Sequence, residues 1–205
     1  MPVAFNTWNA LLNNFVVERA SFTGVEIGIL QSLREVPGFI AFTTVFVLLL
    51  IREQTFAVVS LAILGIGVAA TGFFPTVYGL YFTTVVMSLG FHYFEAVKQS
   101  LSLQWLSKDE APQVLGRLIS VASITSLVVY GVLWVFLEVF QLDYLWNFLL
   151  AGVLCTGFAV VIWLGYPHFE SKTPQHSHLV LRKRYWLYYA LIFFSGARRQ
   201  IFMVF

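Results

Sequence analysis

Three ionisable side chains stand three residues apart in a largely apolar stretch. They are His92, Glu95 and Lys98, followed by Gln99, inside LYFTTVVMSLGFHYFEAVKQSLSLQWL at residues 80–106. At that spacing successive side chains are neighbours on a helix surface. A carboxyl group between an imidazole and an ammonium can relay a proton, or form an ion pair that opens and closes. Hydrocarbon accepts such groups only with a protein or water partner, so an ionisable group at membrane depth is a functional candidate by default. The plainer roles are tying helices together and, for Lys98, reaching to the interface.

A second group of side chains suits solute recognition. Gln31, Arg34 and Glu35 precede Pro37 in GVEIGILQSLREVPGFIAF. Gln31 and Glu35 are four apart and share a face, whereas Arg34 and Glu35, about 100° apart, are expected to point in different directions. Asn6, Asn9 and Asn13 fall on one face of the first helix, with Asn14 beside them. Their alternative use is interhelical hydrogen bonding, about 1 kcal/mol per bond. Arg198 and Arg199 follow Ser195-Gly196-Ala197 near the end of the chain. Arginines in such places bind carboxylates and phosphates through charge-assisted hydrogen bonds.

The composition says what must hold these groups. Of 205 residues, 59% are hydrophobic and 11% are charged, against about 25% charged in soluble domains. The expectation is a polytopic membrane protein of the all-α class. A net charge of +2, with no basic stripe bearing interleaved aromatics, gives no support for a nucleic-acid partner. The lone Cys155 excludes an internal disulfide and is expected to be small apolar filler. No signal peptide is evident, and no cofactor is implied. His168, His176 and His178 lack an i, i+4 pair and sit among Pro, Ser and Thr, so a linker is expected rather than a metal site. Ser195 is not in a G-x-S-x-G elbow and no H-E-x-x-H occurs, so an intramembrane enzyme is disfavoured.

Helices are expected at about 1–16, 25–51, 55–74, 77–106, 112–138 and 143–166. A polar linker at 167–184 and the start of a seventh helix at 185–205 complete the chain. Both ends of the sequence run into apolar stretches, so a piece of a longer membrane protein is expected. Pro37 should kink the second helix. Gly65, Gly67, Ala69, Ala70 and Gly72 mark the third as a scaffold that neighbours approach closely, and Gly116 and Ser120 form a similar small pair in the fifth. Ser107 and Glu110 have the spacing of a helix-capping box, and Asp143 suits an N-cap. The sixth helix is apolar on nearly every side.

Alternating these helices across a membrane puts Arg52, Lys108, Arg117, Lys172, Arg182, Lys183 and Arg184 on one side and only Arg19 on the other. The basic side is therefore expected to be cytoplasmic, with Trp105, Trp163 and Trp186 near the inner interface. Counted from the outer surface, His92 lies about 21 Å down and Lys98 about 30 Å down. The triad then sits below the bilayer centre, as a proton-coupling or gate ladder. Arg34, about 14 Å deep, is nearer the middle.

The chain resembles the N-terminal half of a major facilitator superfamily transporter joined to the start of its second half. WNALLNNFVVERASFTGVEIGILQSLREVPGFIAF is similar to the end of helix 1 through helix 2 of bacterial members. LSKDEAPQVLGRLIS is similar to the helix 4–5 loop with its G-R, and FFSGARRQIFMVF to a helix 7. The helix 2–3 loop departs from the family pattern G-x-x-x-D-R-x-G-R-R; here it is LLLIREQTFAV, which keeps only the Arg52 charge.

The resemblance implies a six-helix bundle of 3+3 inverted repeats. Helices 1, 4 and 7 would line a cavity, helices 2 and 5 would flank it, and helices 3 and 6 would face lipid. It also implies a missing C-terminal half as partner and a bacterial inner-membrane location. The expected function is secondary transport of a small polar or anionic solute, proton-coupled, by alternating access. Asn6, Asn9, Asn13, Arg34, Arg198 and Arg199 would bind the solute, and Glu35, His92, Glu95 and Lys98 would couple protons or form a gate. The alternative is a non-transporting receptor or assembly subunit whose charges only pair helices.

Overall fold

The computed structural model describes residues 1–107, 109–165 and 182–191, with Leu103 described by its backbone alone. Every regular element among the described residues is helical. The chain divides into two compact units, Met1–Thr173 and Pro174–Phe205.

In the first unit, α1 runs Pro2–Ala20 and ends at Ser21, which takes the left-handed conformation (φ 53°). The N–H of Phe22 then reaches back to the Val16 carbonyl at 3.1 Å. This helix is a turn longer than the expected 1–16, and the reason lies in its last turn. Arg19 pairs with Asp143, and Glu18 accepts from the Tyr144 hydroxyl at 3.0 Å. Polar residues that look like a loop are held in the helix by partners far along the chain.

Helix α2 (Gly24–Ile40) opens with a capping box between Thr23 and Glu26, which satisfies donors that a helix start leaves free. The second expected helix, 25–51, is corrected by the structure. It breaks after Ile40 into a 3-10 turn, Ala41–Thr43, and the single turn α3, Thr44–Val47. Pro37 has no N–H to give and crowds the preceding turn. Six residues on, Thr43 donates its hydroxyl to the Ile40 carbonyl at 2.6 Å, which offers the backbone an alternative to the regular ladder.

Helices α4 (Glu53–Thr71) and α5 (Val77–Trp105) form a hairpin, with Thr76 capping α5 through the Gly79 N–H at 3.2 Å. Ser107 and Glu110 bond reciprocally, at 2.7 Å between side chains and 3.3 Å from the Glu110 N–H to Ser107 Oγ, just before α6 (Ala111–Trp134). Helix α6 widens into a π turn over Val135–Val139. Asp143 then caps α7 (Tyr144–Gly165) through the Leu145 N–H at 3.0 Å.

Three of these helices are long and apolar enough to cross a membrane: Glu53–Thr71, Ala111–Val139 and Tyr144–Gly165. The chain is therefore compatible with a membrane protein. The polar helices α1, α2 and α5 fall short of that measure of length and apolarity.

Helix α4 is the hub of this unit, with α5 on one side and α7 on the other. Glycines make both contacts. A Cβ on Gly90 would strike the backbone of Ser60 and Leu64, one on Gly67 would strike Met87, and one on Gly152 would strike Gly65 and Ala69. The seam thus brings backbones together as small-residue packing allows, which is the close approach expected of a scaffold helix, and Val59 and Ile66 of α4 remain exposed. Helix α2 lies along α5, and α1 lies against α6 and α7. Helix α6 is the least covered, with Leu118, Ile119, Val121, Ile124 and Leu127 all exposed. The expected small pair on α6 meets no neighbouring helix among the described residues: Gly116 faces open space, and Ser120 bonds back to the Gly116 carbonyl at 3.0 Å.

In the second unit, Arg182 leads into a 3-10 turn, Lys183–Tyr185, which continues as helix over 186–191.

Candidate functional site

Helices α2 and α5 run parallel, and polar contacts set their register. The Tyr81 hydroxyl donates to the Glu26 carbonyl at 3.4 Å. One level further along, the Ser88 hydroxyl donates to the carbonyl of Arg34. Next, the His92 imidazole packs over Gly38, where a Cβ would lie 3.0 Å from the ring. Last, Thr43 and the Tyr93 hydroxyl share a hydrogen bond of 2.7 Å. The break in α2 therefore falls beside a row of hydroxyl and imidazole groups on α5.

The Arg34 side chain is buried, 8% exposed. Its Nε stands 3.0 Å from Glu35 Oε1. This corrects the expectation that adjacent residues on a helix must diverge: the long arginine stem bends sideways across the 100° step. The pair lies in the same neighbourhood as His92, which faces Glu35, Arg34 and Glu95. Glu95 in turn pairs with Lys98 at a more exposed level.

Polar atoms beside the buried pair have unmet hydrogen bonds. Gln31 Oε1 and Thr84 Oγ1 are buried and pair with no protein group among the described residues. Gln31 is one helical turn before Arg34 and Thr84 one turn before Ser88, so on parallel helices in this register they sit at matching levels. Thr44 Oγ1, in the first residue of α3, is unpaired in the same way. A buried polar group without a partner costs about 1–3 kcal/mol, and such groups are what a polar ligand satisfies.

The asparagine face is divided. Asn6 donates to Ser126 Oγ of α6 at 2.7 Å, so its amide is engaged in helix pairing. Asn9 is half-buried and Asn13 exposed, and neither is hydrogen-bonded among the described residues. Arg198 and Arg199 lie outside the described residues, as do His168, His176 and His178 of the linker. No group of three metal-binding side chains occurs among the described residues. Cys155 is buried, its thiol 3.7 Å from the Leu61 carbonyl.

The structure thus brings Arg34, Glu35, His92, Glu95 and Lys98 into one polar seam and leaves Asn6 of α1 apart from it, bonded to α6. Sequence reasoning passed over Thr84, Ser88, Thr43 and Tyr93. A signal was present for two of them, since Thr84, Ser88, His92 and Glu95 repeat at four, four and three residues and so make one stripe on α5. No family model, curated protein or solved structure matches the chain.

Proposed function

We propose that the chain is half of a secondary active transporter, which moves a small polar or anionic solute across the cytoplasmic membrane by alternating access with proton coupling. The observation that carries this is the buried Arg34–Glu35 pair beside unsatisfied Gln31 and Thr84 oxygens, in a bundle three of whose helices are long and apolar enough to span a bilayer. Groups of that kind at membrane depth mark solute and proton pathways.

The neighbour pattern supports a six-span, 3+3 arrangement, with α2 and α3 counted as one span. Exchanging the first three spans with the last three turns the parallel pair α2–α5 into the parallel pair α6–α1. It turns α4–α5 into α7–α1 and leaves α4–α7 unchanged. A repeated unit duplicated within the half produces this exchange. The basic loops, including Arg52 and Arg117, would face the cytoplasm.

Coupling arises from the seam. Glu35 holds Arg34 in the structure. A proton placed on Glu35 cancels the carboxylate, and an anionic solute then takes its place on the guanidinium by charge-assisted hydrogen bonds. Proton and anion bind together and leave together. His92 and the Glu95–Lys98 pair, further along α5, would form the inner gate or the proton's route to the cytoplasm.

The test is flux in proteoliposomes containing the full-length protein. Glu95→Gln is expected to abolish proton-driven flux while expression is preserved, and wild-type rates in that variant would refute the coupling role. If Glu95 and Lys98 are instead a gate, exchanging the two charges restores much of what either single change loses.

A further inference from the structure

The charges of this chain are unevenly distributed. Residues 1–170 contain six Lys and Arg against ten Asp and Glu, whereas residues 171–205 contain six Lys and Arg and no acidic residue. Three of those six cations, Arg182, Lys183 and Arg184, are consecutive. All three are exposed, and among the described residues none of them is in an ion pair. Like charges in a row repel, and with no carboxylate in their own segment the compensating charge must come from elsewhere.

The residues just after these cations indicate its source. Tyr185, Trp186, Tyr188 and Tyr189 are four aromatics within five residues, on the turn that becomes the helix over 186–191. Trp186 is 67% exposed and Tyr188 59%. Successive helical residues are turned by about 100°, and four steps rise only about 6 Å. The four rings therefore share one side of the helix, an arc of about 160°, at a single depth and directly beside the row of cations. A band of amphipathic rings at one depth next to basic residues is the arrangement found at the headgroup level of a leaflet. Aromatic rings with a polar tip settle at the headgroup level of a bilayer, and the 3-10 turn sets the three cations within about 8 Å of that ring level, at 2 Å per residue.

We propose that Arg182, Lys183 and Arg184, together with the aromatic band Tyr185–Tyr189, form a binding site for the phosphate headgroups of anionic phospholipids. Guanidinium groups engage phosphate oxygens through paired hydrogen bonds and the ammonium engages them as a point charge. The band fixes the depth at which they do so. The site depends on the chain being in a membrane but not on transport, so it survives if the transport assignment fails.

The experiment uses the full-length protein in nanodiscs of phosphatidylcholine, alone or with phosphatidylglycerol, with retained lipid counted by native mass spectrometry. Wild-type protein is expected to retain phosphatidylglycerol over phosphatidylcholine and to lose that preference as salt is raised. At about 1 kcal/mol per cation, the triple variant R182Q/K183Q/R184Q should retain it on the order of a hundredfold more weakly. R182K/R184K, which keeps the charges, should retain most of the preference. Thermal unfolding in phosphatidylcholine nanodiscs should be the same for all three proteins. The salt titration needs no variant and so stands if the triple variant fails to fold. Equal retention of the two lipids by wild type, or undiminished phosphatidylglycerol on the folded triple variant, overturns the site. Displacement of the lipid by millimolar glycerol phosphate would overturn the lipid assignment in favour of a soluble anion.

Discussion

The two faces of α5 are built on opposite principles. Towards α4 it offers Gly90 and the backbone around Met87, so that helices touch main chain to main chain with no room for a methyl group. Towards α2 it offers Ser88, His92 and Tyr93, which reach across to a helix that breaks opposite them. The first contact has one geometry available to it, because hard atoms already meet. The second is made of directional bonds that can be exchanged for others. The difference assigns a mechanical role to each side: α4, with α5 and α7, is the frame, and the α2–α3 segment is the part that can be rearranged.

The sharpest way to break that contrast is to fill the frame. Gly90→Leu is expected to destabilise the protein by about 3 kcal/mol or more, the upper range for overpacking, and to collapse the thermal transition in detergent. Gly116→Leu on α6, which meets open space, should leave the transition near wild type. Equal damage from the two would mean that the seam has no special rigidity.

An intermediate effect is expected on the other face. Arg34→Met leaves Glu35 without its partner in a site where that carboxylate's side chain is 29% exposed. The loss should be about 2 kcal/mol, below the 3–5 kcal/mol typical of a fully buried pair. Arg34→Met combined with Glu35→Met should recover most of the thermal stability and none of the solute binding, as read by isothermal titration with candidate anions. That separation of stability from binding is what distinguishes a rearrangeable seam from a frame. The smallest effect belongs to Ser88→Ala, which removes one hydrogen bond to the Arg34 carbonyl and should cost about 1 kcal/mol. A larger loss would show that the α2 break is held more firmly than its neighbours suggest.

Much of this organisation was legible in the chain. The apolar runs at 55–74 and 143–166 and the Asp143 cap are local signals, carried by periodicity and by short-range hydrogen bonds; Ser107 and Glu110 do bond to each other, but in the turn before α6, whose N-cap Glu110 makes no side-chain cap bond. The central position of α4 was less so, because glycine spacing says that something packs closely without saying what. The break after Ile40 was signalled only as a kink at Pro37; where the helix yields depends on Thr43 finding both Ile40 and Tyr93, fifty residues away in sequence. The Arg34–Glu35 pair was misjudged because helical-wheel angles describe Cβ directions and not the reach of a long side chain. Thr84 and Ser88 were overlooked because small hydroxyls are common in apolar helices, and their meaning comes from the parallel helix that faces them.

The bond between Asn6 and Ser126 joins residues 120 apart in sequence, and Arg19 meets Asp143 across 124. At about 5–20 residues per second of synthesis, α1 leaves the ribosome roughly ten seconds before the helices that satisfy it exist. Over that interval Asn6, Glu18 and Arg19 have no native partner on the nascent chain. Helix α1 thus precedes α2 to α5 in synthesis yet has its polar contacts completed only after α6 and α7 arrive.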